Sequence, residues 1–93
     1  MVETYVLGTA VRLTAILEDD LLSGGAVTVT IYDSAETKVV DEASATEVAG
    51  NVFEYIYQST DNDIDGCYRV IFSVTVGGYI SKATQTIKFQ DVT

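Results

Sequence analysis

The feature that most constrains this chain is a period-two alternation of apolar and polar residues that recurs along most of its length. Successive side chains of an extended strand point to opposite faces, so this pattern buries one face of a sheet and wets the other. The clearest run is Cys67 to Val76. Tyr68, Val70, Phe72, Val74 and Val76 share one face; Arg69, Ile71, Ser73 and Thr75 take the other. Val27, Val29 and Ile31 alternate in the same way with Thr28, Thr30 and Tyr32. Phe53, Tyr55 and Tyr57 alternate with Glu54, Ile56 and Gln58, and Ala83, Ile87 and Phe89 with Lys82, Thr84, Thr86 and Lys88. The β-branched and aromatic residues in each run agree with strand.

Turn chemistry separates the runs. Ser23-Gly24-Gly25, Ala49-Gly50-Asn51, the acidic stretch that ends at Gly66, and Gly77-Gly78 all supply residues that accept positive φ. Val76-Gly77-Gly78-Tyr79 reads as a two-residue hairpin. Tyr79 and Ile80 interrupt the alternation, which predicts a bulge there. The chain has no proline, so charge alone is expected to guard the sheet edges.

Ala10 to Leu22 admits two readings. Val11, Leu13, Ala15 and Leu17 alternate as a strand, whereas Leu13, Ile16, Leu17 and Leu21 also form a helical stripe with Gly24 as its cap. The β-branched Val11, Thr14 and Ile16 favour strand, and Glu18-Asp19-Asp20 suits a turn; a helix would make the fold α+β. Further on, Lys38-Val39-Val40 reads as a short strand and Glu42 to Ala49 as a loop or ragged edge. The sum is about seven short strands with turns about ten residues apart, the signature of an all-β, immunoglobulin-like antiparallel sandwich. At 93 residues, one domain over 1–93 is expected.

Charge narrows the partners. Five basic residues stand against 14 acidic ones, for a net charge of −9. Nucleic acid and anionic membranes need clustered cations, and Arg12, Lys38, Arg69, Lys82 and Lys88 are scattered. No apolar run approaches the roughly 18 residues of a membrane-spanning helix. The opening residues carry no secretory leader pattern, which sets the expectation of a protein made inside the cell.

The inventory also argues against catalysis. There is no histidine, the commonest general base. Cys67 is alone, so no intrachain disulfide can form, and it reads as a buried small hydrophobe. Asp61, Asp63 and Asp65 just before it would oppose a thiolate. Ser81 and Lys82 are strand neighbours and so point apart, and no glycine-rich loop opens a helix to cradle phosphate. No catalytic, cofactor-binding or metal-binding residue is assigned, and no cofactor is expected.

Asp61-Asn62-Asp63-Ile64-Asp65-Gly66 spells the opening half of a calcium loop, in which alternate oxygens converge on one cation. The twelfth position, which should hold a bidentate glutamate, is Phe72. Glu18, Asp19, Asp20 or Asp33 could complete a site only if the fold brought them near; otherwise this is a solvated acidic loop. Tyr68, two residues after Gly66, resembles a tyrosine corner, whose phenol hydrogen-bonds the preceding loop. Of the six tyrosines, Tyr32 and one of Tyr55 or Tyr57 are expected to lie outside, the others filling a core that lacks tryptophan.

The opening Tyr5-Val6-Leu7-Gly8-Thr9-Ala10-Val11-Arg12-Leu13-Thr14-Ala15 resembles the start of small immunoglobulin-like proteins in the structural gene clusters of tailed phages. It is also similar to modules of bacterial surface proteins and macroglobulin-type chains. Val27 to Asp33, Gly50 to Tyr55 and Gly66-Cys67-Tyr68-Arg69-Val70 continue the resemblance, which covers about two thirds of the chain; Ser34-Ala35-Glu36 departs from it where relatives carry proline or glycine. The resemblance implies a structural protein of the bacteriophage virion, made in the host cytoplasm, that decorates a capsid or sits at the neck or tail and binds repeated copies of another protein. The alternative it implies is an extracellular or cell-surface module used as a spacer or in adhesion; calcium binding by such a module would rest on the Asp61 to Gly66 loop alone.

Overall fold

A computed structural model describes residues 3–16, 26–49 and 52–91. Among them eight strands follow in order: β1 (Glu3–Val6), β2 (Ala10–Ile16), β3 (Ala26–Tyr32), β4 (Lys38–Ser44), β5 (Thr46–Ala49), β6 (Val52–Gln58), β7 (Gly66–Val76) and β8 (Tyr79–Gln90). They form two sheets, ordered β1-β8-β7-β3-β4 and β2-β6-β5. Every pairing is antiparallel except β1 with β8, which is parallel. The chain is an all-β, immunoglobulin-like sandwich, as the alternation predicts.

The core forms where the alternating faces meet. Val27, Val29 and Ile31 of β3 and Tyr68, Val70, Phe72 and Val74 of β7 face Val11, Leu13 and Ala15 of β2 and Tyr57 of β6. Ile87 and Phe89 of β8 and Leu7, just after β1, complete this cluster. In antibody domains a disulfide cysteine stands two residues after the corner tyrosine. Here that place is Val70, fully buried, so apolar packing joins the sheets instead.

The hairpin at Gly77-Gly78 is as the sequence predicts, with φ of 58° and 84°. Positive φ at both central residues is what a type I′ turn requires. The bulge expected beside it is absent: β7 and β8 stay in register from Val76↔Tyr79 to Gly66↔Phe89. Tyr79 and Ile80 break the alternation for another reason. Both are exposed, because the ribbon there has run past the core.

The Ala10 to Leu22 question resolves as strand over Ala10–Ile16; the remainder lies outside the described residues, as do Ser23-Gly24-Gly25 and Gly50-Asn51. Glu42 to Ala49 is a ragged edge and not a loop, strand on both sides of Ala45. β4 runs to Ser44, the Ala45 N–H donates to the Val27 carbonyl at 2.9 Å, and β5 then joins the other sheet. Small polar residues suit a strand that changes sheets at an exposed edge, a pattern that hides its alternation. Charge is not the only guard on that edge either. Both β4 and β5 carry register shifts, and Glu42 takes a φ of 51°.

Candidate interaction surface

One end of the sandwich is built by the β1–β2, β3–β4 and β6–β7 connections, of which the last two are acidic. The Asp63 carboxylate accepts hydrogen bonds from the Thr60 N–H (2.9 Å) and the Tyr57 hydroxyl (3.3 Å). Asp65 contributes its backbone carbonyl, which accepts from the Ser34 hydroxyl at 2.6 Å. Asp33 accepts from the Ala35 and Thr37 N–H groups, both at 2.9 Å. The Asp61 carboxylate lies where a side chain on Gly8 would have to go. Thus Asp33 and Asp63 brace their own turns, and Asp61 packs across a loop. Among the described residues no three acids, histidines or cysteines are placed to hold one metal ion. Glu18, Asp19 and Asp20 lie outside those residues.

The tyrosine corner is present. The Tyr68 hydroxyl donates to the Ile64 carbonyl at 2.6 Å, and its ring packs on Phe89 with centroids 4.9 Å apart. Burial and the nearby charges of Asp63, Asp33 and Asp65 push its pKa up to about 12. Burial first, then the Asp63 charge, pushes Tyr57 up as well. These shifts mark buried phenols facing carboxylates.

Cys67 corrects its expected place. It is exposed, because the face it shares with Arg69 is the outer one and Tyr68 takes the inner. Ser81 and Lys82 stand on opposite faces, opposite Val74 and Ser73 of β7 respectively. Tyr32 lies on the outer face, with the Arg69 guanidinium 4.7 Å and the Lys38 ammonium 5.8 Å from its ring centre. Neither Tyr55 nor Tyr57 joins it outside. They sit opposite Leu13 and Val11 and turn toward the core. The alternation already paired their directions, so the two could not be divided between faces.

Two arrangements were not anticipated. Ser59 is buried, and its hydroxyl accepts from the Gly8 N–H (3.1 Å) and donates to the Thr9 carbonyl (2.7 Å). Nothing local to Ser59-Thr60 signals a partner 50 residues away.

The second is a division of surface character. The outward positions of β3, β7 and β8 hold hydroxyl residues (Thr28, Thr30, Ser73, Thr75, Thr84, Thr86) and the cations Arg69, Lys82 and Lys88, without one carboxylate. At the end opposite the acidic loops, the register places Ile16, Val48, Tyr79 and Ile80, all exposed. Tyr79 is 71% exposed and Ile80 63%.

The residues therefore assemble surfaces of distinct character on one sandwich. Comparison with known proteins gives no matching family model and no matching curated protein.

Proposed function

We propose that this chain is a non-catalytic structural domain that binds other proteins, and that it serves as a component of a tailed-phage virion, on the capsid, neck or tail. The observation that carries the binding role is the exposed apolar set at one end, Ile16, Val48, Tyr79 and Ile80. A tyrosine and an isoleucine beside a two-residue hairpin turn supply exposed apolar contact area, which suits a protein interface. The chemistry of the chain agrees: it lacks histidine, the commonest general base, and its lone thiol is exposed on an outer strand face. The virion context rests on the resemblance of Tyr5 to Ala15 and Gly66 to Val70 to phage immunoglobulin-like proteins.

Two measurements test this reading. Genes for capsid, portal or tail proteins beside its reading frame support the virion context, and a neighbourhood without them overturns it. Co-expressed with those neighbours, the chain is expected to sediment with the assembled particle. Replacing Tyr79 and Ile80 together by serine should release it; retention at the native level would remove the hairpin tip as the contact.

A further inference from the structure

We propose that the outer face of the five-stranded sheet packs against the same face of a second copy of this chain. The two-fold axis lies in the plane of contact and runs along the strands, between β7 and β3. Among the described residues no element covers this face. It carries four of the chain's five cations, Lys38, Arg69, Lys82 and Lys88.

The charges here are sorted across the strands. β8 presents Lys82 and Lys88 and holds no acid. On the other side, β4 and its turn from β3 hold Asp33, Glu36, Asp41 and Glu42 against one cation, Lys38. Two of these acids are paired within the chain, Asp41 with Lys38 and Glu36 with Arg69. Glu42, Lys82 and Lys88 have no ion pair among the described residues. Lys82 and Glu42 stand on opposite walls of one shallow groove, floored by Thr28, Thr30, Ile71 and Ser73.

This sorting selects the occupant. An acidic partner would be repelled at Glu42 and a basic one at Lys82 and Lys88. The surface that answers both walls carries the same charges in reversed order across the strands. A two-fold rotation makes that order from the face itself, because it lays each copy's β8 over the other's β4. Register brings the charges level. Lys82, Ser73 and Thr28 form one row across β8, β7 and β3, and the Glu42 N–H donates to the hydroxyl of Thr30, the next outward residue of β3. Lys82 of each copy therefore meets Glu42 of the other, and the symmetry makes this contact twice. Lys88 lies in the row of Cys67, just beyond the Arg69–Tyr32 pair, which sets it against the other copy's β3–β4 turn. Aligned face-to-face packing is the usual way two sheets stack. The short hydroxyl side chains of the floor let the faces approach, with water bridging between them.

Sedimentation equilibrium of the isolated chain tests this without any virion partner, so its outcome is separate from that of the virion reading. The mass should rise from 10.0 kDa toward twice that value with concentration. Lys82→Glu and Glu42→Lys each oppose like charges at both contacts and should weaken the dimer on the order of tenfold. Glu42→Lys does so although it lowers the net negative charge, which alone would favour association. Mixed one to one, the two variants should pair with each other, since every contact is then Glu against Lys. The double variant should regain self-association for the same reason. Arg12→Glu makes the charge change of Lys82→Glu on the other sheet and should weaken the dimer far less. In the unaltered chain the amide resonances of Thr30, Ile71 and Thr84 should shift with concentration while those of Arg12 and Ile56 stay fixed; this readout decides the matter if a variant fails to fold. A single 10.0 kDa species at millimolar concentration, failure of the two variants to pair, or shifts confined to other surfaces would each overturn the packing.

Discussion

The Tyr68 hydroxyl donates a 2.6 Å hydrogen bond to the carbonyl of Ile64, four residues back, and so ties the start of β7 to the loop that delivers it. The ring below the hydroxyl is buried among Phe89 and Tyr57, which fixes the phenol's direction before the bond forms. Tyr68→Phe keeps the packing and removes the donor. It is expected to cost about 1–2 kcal/mol, and a domain of this size loses about 4–8 °C in Tm for each kcal/mol. Thermal unfolding followed by circular dichroism checks this. An unchanged Tm would mean the corner bond contributes nothing to stability.

The same residue sets a limit at alkaline pH. Tyr68 is raised from 10.0 to about 12 in the folded chain, by burial first and by Asp63, Asp33 and Asp65 next. Above pH 10 the unfolded phenol gives up its proton while the folded one keeps it. The unfolded state then binds fewer protons, so stability falls as pH climbs from 10 toward 12 and is unaffected by this group below that window. Tyr57 shifts in the same direction and adds to the loss. Tyrosinate absorbance should show part of the tyrosine titration delayed until unfolding, and Tyr68→Phe should lessen the fall in Tm across the window. Complete titration near pH 10 in the folded protein would contradict the burial of both phenols.

Gly66 joins this corner to the β3–β4 turn. Its φ is 115°, and a Cβ built on it would stand 2.7 Å from the Cβ of Ser34, whose hydroxyl holds the Asp65 carbonyl. Gly66→Ala thus meets both a strained backbone and a close neighbour, at a cost on the order of 1–3 kcal/mol. Gly77→Ala makes a useful contrast, since φ is also positive there but nothing lies within 4 Å. Urea titration should rank Gly66→Ala as the more destabilising, and the reverse order would show that Ser34 gives way freely.

The sheets were legible in the sequence because their inner faces are buried and their outer faces are wet. That contrast writes a period of two into β2, β3, β7 and β8. It fades where both faces are exposed, as in β5, so Thr46 to Ala49 carried no strand signal. Cys67 was misplaced because burial was read from residue type, although its neighbour Tyr68 had already claimed the inner face. The tyrosine corner could be foreseen from the spacing of Gly66 and Tyr68, a local motif. The D-x-D-x-D-G spacing is equally local, yet the structure spends the Asp63 carboxylate on Thr60 and Tyr57, contacts that spacing does not reveal. Long-range polar contacts left no trace at all, and the clearest of these is Ser59.

Ser59 is 1% exposed and links two loops far apart in sequence. Its hydroxyl satisfies the Gly8 N–H and the Thr9 carbonyl, while the Gln58 amide donates to the Gly8 carbonyl at 3.1 Å. The β1–β2 turn is thereby clasped to the start of the β6–β7 loop, which holds β1 where it can pair with β8. Ser59→Ala leaves the Gly8 N–H without that acceptor in a partly buried place, and the expected cost is about 1–3 kcal/mol. The Thr9 carbonyl fares better, because the Ser59 N–H still reaches it at 3.4 Å. Hydrogen exchange separates these outcomes by residue. The Gly8 amide should exchange faster in the variant, with the β1 amides following as the turn loosens, while those of β3 and β7 keep their protection. Equal acceleration everywhere would show global destabilisation and no clasp, and unchanged exchange at Gly8 would show that the hydroxyl does not hold the turn.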